Sequence, residues 1–113
     1  MFIVTELPAY TWPVTVDFPI DGGKTREVKF TAKFRRLDQD DIVKQQEDIN
    51  AGIIGDRDII DQVLIGWSGV VDAAKVEMEF NDANLETVLK MFPVRPSIVR
   101  AYFDSLKNVK AKN

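Results

Sequence analysis

Val14-Thr15-Val16-Asp17-Phe18-Pro19-Ile20-Asp21-Gly22-Gly23-Lys24-Thr25-Arg26-Glu27-Val28-Lys29-Phe30-Thr31-Ala32-Lys33-Phe34-Arg35-Arg36 is the stretch that decides the fold. Val14, Val16, Phe18 and Ile20 alternate with Thr15, Asp17 and Pro19. Val28, Phe30, Ala32 and Phe34 alternate with Lys29, Thr31, Lys33 and Arg35. A period of two places each apolar set on one face of a strand. Between the runs, Asp21-Gly22-Gly23-Lys24 is rich in residues that accept positive φ. Both apolar sets fall on even positions, so they face one another only across an odd number of loop residues, a turn of three or five. Pro19 suits a strand end or a sheet edge. A two-stranded hairpin is marginal on its own, so the apolar face of 14–36 needs a cover from the rest of the chain.

That cover is predicted to be helical. Asp38 is an N-cap with Asp41 at N3, and Leu37 and Ile42 form a hydrophobic staple around it. The helix over about 38–50 then presents a thin stripe of Ile42, Val43 and Ile49 and breaks at Ala51-Gly52-Ile53-Ile54-Gly55. Asp56 restarts a helix over about 56–66, with Ile59, Ile60, Val63, Leu64 and Trp67 on one broad face and Gly66 and Gly69 ending it. Val70-Val71-Asp72 reads as a short extended piece. A third helix over about 82–92 repeats the first one's start: Asn81 caps, Phe80 and Leu85 staple, and Leu85, Val88, Leu89 and Phe92 are its buried face, closed by Pro93. The last helix, about 96–108, takes Pro96 early and carries Ile98, Val99, Tyr102, Phe103 and Leu106.

Upstream, Pro8 and Pro13 forbid a continuous helix, leaving 1–12 as a lead-in arm or an edge strand. Lys107, Lys110 and Lys112 suit a helix C-terminus and a frayed tail over 108–113. The expected architecture is a single α+β domain over 1–113, a hairpin followed by four short helices.

Composition narrows the chemistry. The 113 residues contain no cysteine and no histidine. This removes disulfides, thiolate nucleophiles, Cys/His zinc sites and imidazole acid–base catalysis. The apolar runs are far too short to span a bilayer, which takes roughly 20 residues. Met1-Phe2-Ile3-Val4 lacks the basic start of a signal peptide. The acidic clusters Asp38-Gln39-Asp40-Asp41 and Asp56-Arg57-Asp58 are better read as helix caps than as metal sites, because neither follows the calcium-loop pattern. Ser68 has no histidine or lysine close in sequence to activate it.

The second strand is basic, with Lys24, Arg26, Lys29, Lys33, Arg35 and Arg36. Alternation nevertheless puts Phe30 and Phe34 on the face opposite Lys29, Lys33 and Arg35, so the aromatics are core residues rather than a stacking platform for bases. With a net charge of −3, nucleic-acid binding is disfavoured. Such cations also guard a sheet edge. Trp67 packs in the plain reading and meets a partner in the sharper one. Phe2, Ile3, Val4, Ile53, Ile54, Val70 and Val71 lie outside the predicted helix cores. They either complete a small core or offer an apolar surface to a partner.

The run from Asp56 to Asp72, with its acidic-leucine helix leading into Leu64-Ile65-Gly66-Trp67-Ser68-Gly69-Val70, resembles the small tail assembly chaperones of long-tailed phages and prophages. Phe80 followed by Asn84-Leu85, then Ala101-Tyr102-Phe103 in the last helix and Phe30 to Leu37 upstream, extend the resemblance from about Val14 to Leu106. One departure is visible: family members often carry a glycine soon after the aspartate, and Asp72-Ala73-Ala74-Lys75 has none. The resemblance implies a non-catalytic assembly factor in the cytoplasm of the bacterial host, absent from the mature virion. Such a factor binds the tape-measure protein and helps recruit tail-tube protein, and many phages also make a longer form by frameshifting. It implies no cofactor, no metal and no membrane.

The residues carried forward as partner-binding are Trp67, Val70, Val71, Ile53 and Ile54, with self-association as a further use of such a surface. The rival functions are a minor structural or tail-completion protein of the virion and a nucleic-acid-binding regulator using the basic strand.

Overall fold

The computed structural model describes residues 1–4 and 7–107. Two long strands, β1 (Ala9–Ile20) and β2 (Lys24–Arg35), form the hairpin, and α1 (Gln39–Asn50) and α2 (Asp56–Val63) follow it. Then come β3 (Leu64–Ser68), α3 (Asp82–Leu89) and α4 (Val94–Leu106). The sheet is antiparallel in the order β1-β2-β3, so the architecture is α+β with the helices after the hairpin.

The hairpin register matches its alternation. Val16 faces Val28, Val14 faces Phe30 and Tyr10 faces Phe34. Ile20 pairs with Lys24 across the three residues Asp21-Gly22-Gly23, where Gly22 and Gly23 take φ of 81° and 74°. This is the odd turn that even-numbered apolar sets require. The strand starts earlier than 14, however. Tyr10 and Trp12 belong to β1, and Arg36 N–H donates to the Pro8 carbonyl at 2.9 Å to pin its start. Pro13 and Pro19 are tolerated because β1 is an edge strand.

The largest correction concerns the helix expected over 56–66. It stops at Val63, and Leu64–Ser68 pairs with β2 instead. Thr31 faces Ser68, Ala32 faces Trp67 and Lys33 faces Gly66, but Phe34 faces Leu64, which leaves Ile65 as the extra residue of a bulge. Ile65, Gly66, Trp67 and Ser68 are all weaker helix formers than the leucine before them, and β2 presents a row of unpaired backbone groups beside them. Closing that edge outweighs continuing an apolar stripe that fits a helix equally well.

Caps place the other helices. Asp41 N–H donates to Asp38 Oδ1 at 2.9 Å and Asn84 N–H donates to Asn81 Oδ1 at 2.8 Å, each cap worth about 1 kcal/mol. At α2 the cap position is Gly55, whose N–H donates to Asp58 Oδ2 at 3.0 Å. The acidic clusters thus act at helix starts. On α1, Ile42 and Ile49 are half-buried, but Val43 is exposed and Gln45 is the residue buried there. α3 ends at Leu89 rather than about 92. Leu85, Val88 and Leu89 are buried, whereas Phe92, expected on the same face, lies in the turn beyond and is 76% exposed. α4 begins at Val94 and ends at Leu106, slightly ahead of the expected 96–108; residues 108–113, read as a frayed tail, lie outside the described residues.

The core sits under the root of the hairpin. Phe34 lies between Tyr10 and Tyr102, with ring centroids 5.9 and 5.4 Å away. Tyr102 Oη donates to Gln45 Oε1 at 3.0 Å, and Gln45 Nε2 donates to Gln62 Oε1 at 2.8 Å, so a polar chain running from buried Tyr102 and Gln45 out to exposed Gln62 ties α4, α1 and α2 together. Ser105 Oγ donates its one hydrogen to the Tyr102 carbonyl at 2.6 Å and therefore accepts from Tyr10 Oη at 2.7 Å. α4 lies against β1 and α2.

Candidate functional site

The even-numbered face of the hairpin is covered unevenly. Over its tip-ward half, Val16, Phe18, Val28 and Phe30 form one wall of a groove of about 220 Å³. Val88 and Met91, at the corner between α3 and α4, form the facing wall. Val70 and Val71 close one side. Val16 and Val88 are buried, Phe18, Phe30 and Val70 are half-buried, and Val28, Val71 and Met91 are exposed. The lining side chains grade from core to open surface, so the groove is an unfinished part of the core. Phe92, next to Met91 in sequence, and Val76, in the turn that follows Val71, are exposed apolar residues as well. A cavity of 220 Å³ falls below the roughly 300–1,000 Å³ usual for small-molecule sites. Its volume matches that of one or two large apolar side chains.

The segment after β3 shapes the groove's side. Gly69 takes φ of 81°, and a Cβ there would lie 3.7 Å from Phe30 Cα. Its N–H donates to Glu77 Oε2 at 3.0 Å. Met78 N–H donates to the Val70 carbonyl at 2.7 Å, and Val71 bridges to Glu77, making a small antiparallel turn. Asp72 Oδ1 accepts from Ala74 N–H at 2.8 Å and from Val76 N–H at 3.0 Å. The expected extended piece at 70–72 is this turn's first arm. Lys75 takes φ of 64°, alone among the described non-glycine residues. The missing glycine after the aspartate therefore leaves the left-handed backbone in place, at a cost of roughly 1–2 kcal/mol.

Trp67 faces Ala32 across the sheet. Its indole N–H donates to the Met78 carbonyl at 2.8 Å, and its ring stands edge-on to Phe80 at 4.9 Å. It therefore holds the 69–80 segment against the sheet and does not line the groove. Ile53 is 67% exposed in the turn between α1 and α2, where Ile54 is half-buried against the core; neither lines the groove. Of the five residues singled out from sequence, the structure brings Val70 and Val71 together at the groove and places Trp67, Ile53 and Ile54 elsewhere. Phe18, Val28 and Met91 were not singled out. Their signal was present in the hairpin alternation and in Met91, three residues after the buried Val88.

Titratable groups show little concentration. Arg57 donates to Asp61 Oδ1 at 2.9 Å and to Glu86 Oε2 at 2.6 Å, joining α2 to α3. The hydrogen bond from Arg57 holds the Glu86 carboxyl below its usual range, and the same two carboxylates raise the guanidinium. Burial first, and Tyr10 second, push the Tyr102 phenol up to about 12. A shallow polar cavity along α1 includes Asp41 and Asp48, with Asp48 held by Lys44 Nζ at 2.8 Å. Among the described residues no group of three or more acidic side chains converges as metal ligands, and no helix is long and apolar enough to cross a membrane.

A family model described as phage tail assembly chaperone matches residues 1–113. No curated protein and no solved structure matches the chain.

Proposed function

The chain belongs to the phage tail assembly chaperone family, and from that premise we propose that its apolar groove holds hydrophobic segments of the tape-measure protein during tail assembly. The observation that carries this reading is the groove's lining, in which exposed Val28, Val71 and Met91 continue without a break into buried Val16 and Val88. An elongated helical client offers apolar side chains at i, i+3, i+4 and i+7, and a groove of this kind accepts one or two of them at a time. Each contact is weak, so a long client is covered by many copies, each released easily.

In this reading the protein acts without catalysis, in the host cytoplasm. It holds the tape-measure protein in solution until tail-tube protein assembles around it, and it does not remain in the virion. The basic outer face of β2, with Lys29, Lys33 and Arg35 exposed, stays on the side of the sheet away from the groove and serves solubility.

Co-expression with the tape-measure protein tests the proposal. The soluble fraction of the client should rise and the two should co-purify, and Val28→Asp should abolish both effects while the variant itself stays folded. If the client's solubility is indifferent to this chain, the chaperone reading loses its basis. Mass spectrometry of purified virions separates it from a structural tail component, which would be present in the particle.

A further inference from the structure

The root of the hairpin carries a second cavity, of about 350 Å³, that shares no lining residue with the groove at the tip. Half-buried Tyr10, Trp12, Leu37 and Ile42 give it an apolar floor, with Leu106 at its rim. Arg35 and Arg36 are its charged residues, and among the described residues no carboxylate lines it. We propose that this cavity binds a partner protein's peptide segment in which an aspartate or glutamate stands next to a large apolar side chain. Arg36 grips the carboxylate, and the apolar side chain seats on the floor.

Arg36 is already held in place for an anion. Its guanidinium carbon lies 4.9 Å from the centroid of the Tyr10 ring, and its Nε–H donates to the Leu7 carbonyl at 2.8 Å. The ring beneath it is fixed in turn. Tyr10 Oη donates to Ser105 Oγ at 2.7 Å, and Ser105 Oγ donates to the Tyr102 carbonyl at 2.6 Å. With Nε–H engaged, the edge formed by the two Nη groups remains, and that edge takes a carboxylate through two parallel hydrogen bonds. A guanidinium held on one side and stacked on another loses less conformational freedom when it binds. Among the described residues neither Arg35 nor Arg36 forms an ion pair, although Arg35 also borders the neighbouring cavity that includes Asp41 and Asp48.

The chain as a whole carries a net charge of −3, so two adjacent arginines beside an apolar floor reverse the sign locally and complement an acidic segment. Other ligands fit worse. A nucleic-acid base stacks on a free aromatic face, whereas Tyr10 has Arg36 over its ring and Phe34 at 5.9 Å. A free small molecule needs roughly 70–90% of its surface buried, whereas Thr11, Arg35, Arg36 and Leu106 leave this cavity exposed. A side chain still attached to its peptide tolerates that openness. The proposal does not rest on the client reading above.

Chemical-shift mapping on the ¹⁵N-labelled full chain tests the site, with acetyl-Gly-Phe-Asp-Asp-Gly-amide as the probe. The Arg36 Nε–H and Trp12 indole N–H resonances should shift, with a Kd on the order of 0.1–1 mM. Exchanging the probe's acids for asparagine, or its phenylalanine for alanine, should each weaken binding about tenfold. Arg36→Lys keeps the charge but loses the fork and should weaken binding by about the same factor. Because Arg36 also holds the Leu7 carbonyl, Leu106→Glu is the second variant. It sets a carboxylate of the chain's own at the cavity rim while leaving Arg36 and its contacts in place, and it should cut binding to a similar degree. Val28→Asp, in the groove, should bind the probe as wild type does. Equal binding of the aspartate and asparagine probes overturns the proposal, as does wild-type binding by Leu106→Glu. Tighter binding of an eight-nucleotide oligothymidine, or of N-acetylphenylalanine with its free carboxylate, overturns it in favour of a nucleic acid or a chain terminus. Probe binding without any effect on tape-measure solubility defeats the client reading alone, and the converse defeats this site alone.

Discussion

The two ends of the hairpin carry the same alternation and meet different fates. At the root, Tyr10 and Phe34 lie under α4, and the Tyr102 phenol, Gln45 and Gln62 link three helices beneath them. At the tip, Phe18, Val28 and Phe30 line a groove completed by Val88 and Met91 near the corner between α3 and α4 and by Val70 and Val71 after β3. A strand of 12 residues is about 40 Å long, whereas a helix of 13 residues is about 20 Å long. One helix cannot cover the whole strand. Where the cover stops, the same apolar pattern that makes a core leaves an open groove.

The sharpest way to break this contrast is to remove a root residue. Phe34→Ala should cost about 3–5 kcal/mol, because the side chain is wholly buried between two aromatic rings; chemical denaturation measures it, and a loss under 1 kcal/mol would mean that the root is not the core. Next comes the polar chain beneath it. Tyr102→Phe leaves buried Gln45 Oε1 without its donor and should cost roughly 1–3 kcal/mol.

The same variant should alter the alkaline limb of stability. In the folded protein burial pushes the Tyr102 phenol up to about 12 from an ordinary value of 10. Between those values the unfolded chain loses the proton first, so stability falls as pH rises through that window. Denaturation midpoints followed from pH 9 upward should show the fall in wild type and a smaller one in Tyr102→Phe; identical slopes would remove burial of the phenol as its cause.

At the tip, Val28→Asp should change stability by less than about 1 kcal/mol, since Val28 is already exposed, while client binding is lost. Equal damage to folding and binding would erase the distinction between the two ends. The smallest effect belongs to the turn beside the groove. Lys75→Gly relieves the left-handed backbone at φ 64° but adds glycine's entropy in the unfolded chain, for a net gain of about 0.5 kcal/mol. A loss of stability there would show that the Lys75 side chain makes a contribution larger than its backbone strain.

Local chemistry is what the sequence carried reliably. Even-numbered alternation and the Asp21-Gly22-Gly23 turn set the hairpin register, and Asp38 and Asn81 cap their helices as their positions require. The family motif around Gly66-Trp67-Ser68-Gly69 is likewise legible, although what Trp67 does is not: its partners, Met78 and Phe80, lie 11 and 13 residues on. The groove was half legible. Val70 and Val71 stood out as apolar residues without a helix, while Phe18 and Val28 were absorbed into the alternation of the strands.

By itself, then, the sequence determined the α+β class, the hairpin with its odd-numbered turn and the capped starts of α1 and α3, because each depends on residues a few positions apart. Tertiary structure alone decided that Leu64–Ser68 leaves the helix to pair with β2, that Phe92 faces solvent, and that the tip of the hairpin stays uncovered. Those outcomes depend on which distant surface is available to be buried. A periodic pattern states only that a face is apolar, and the folded chain decides whether anything reaches it.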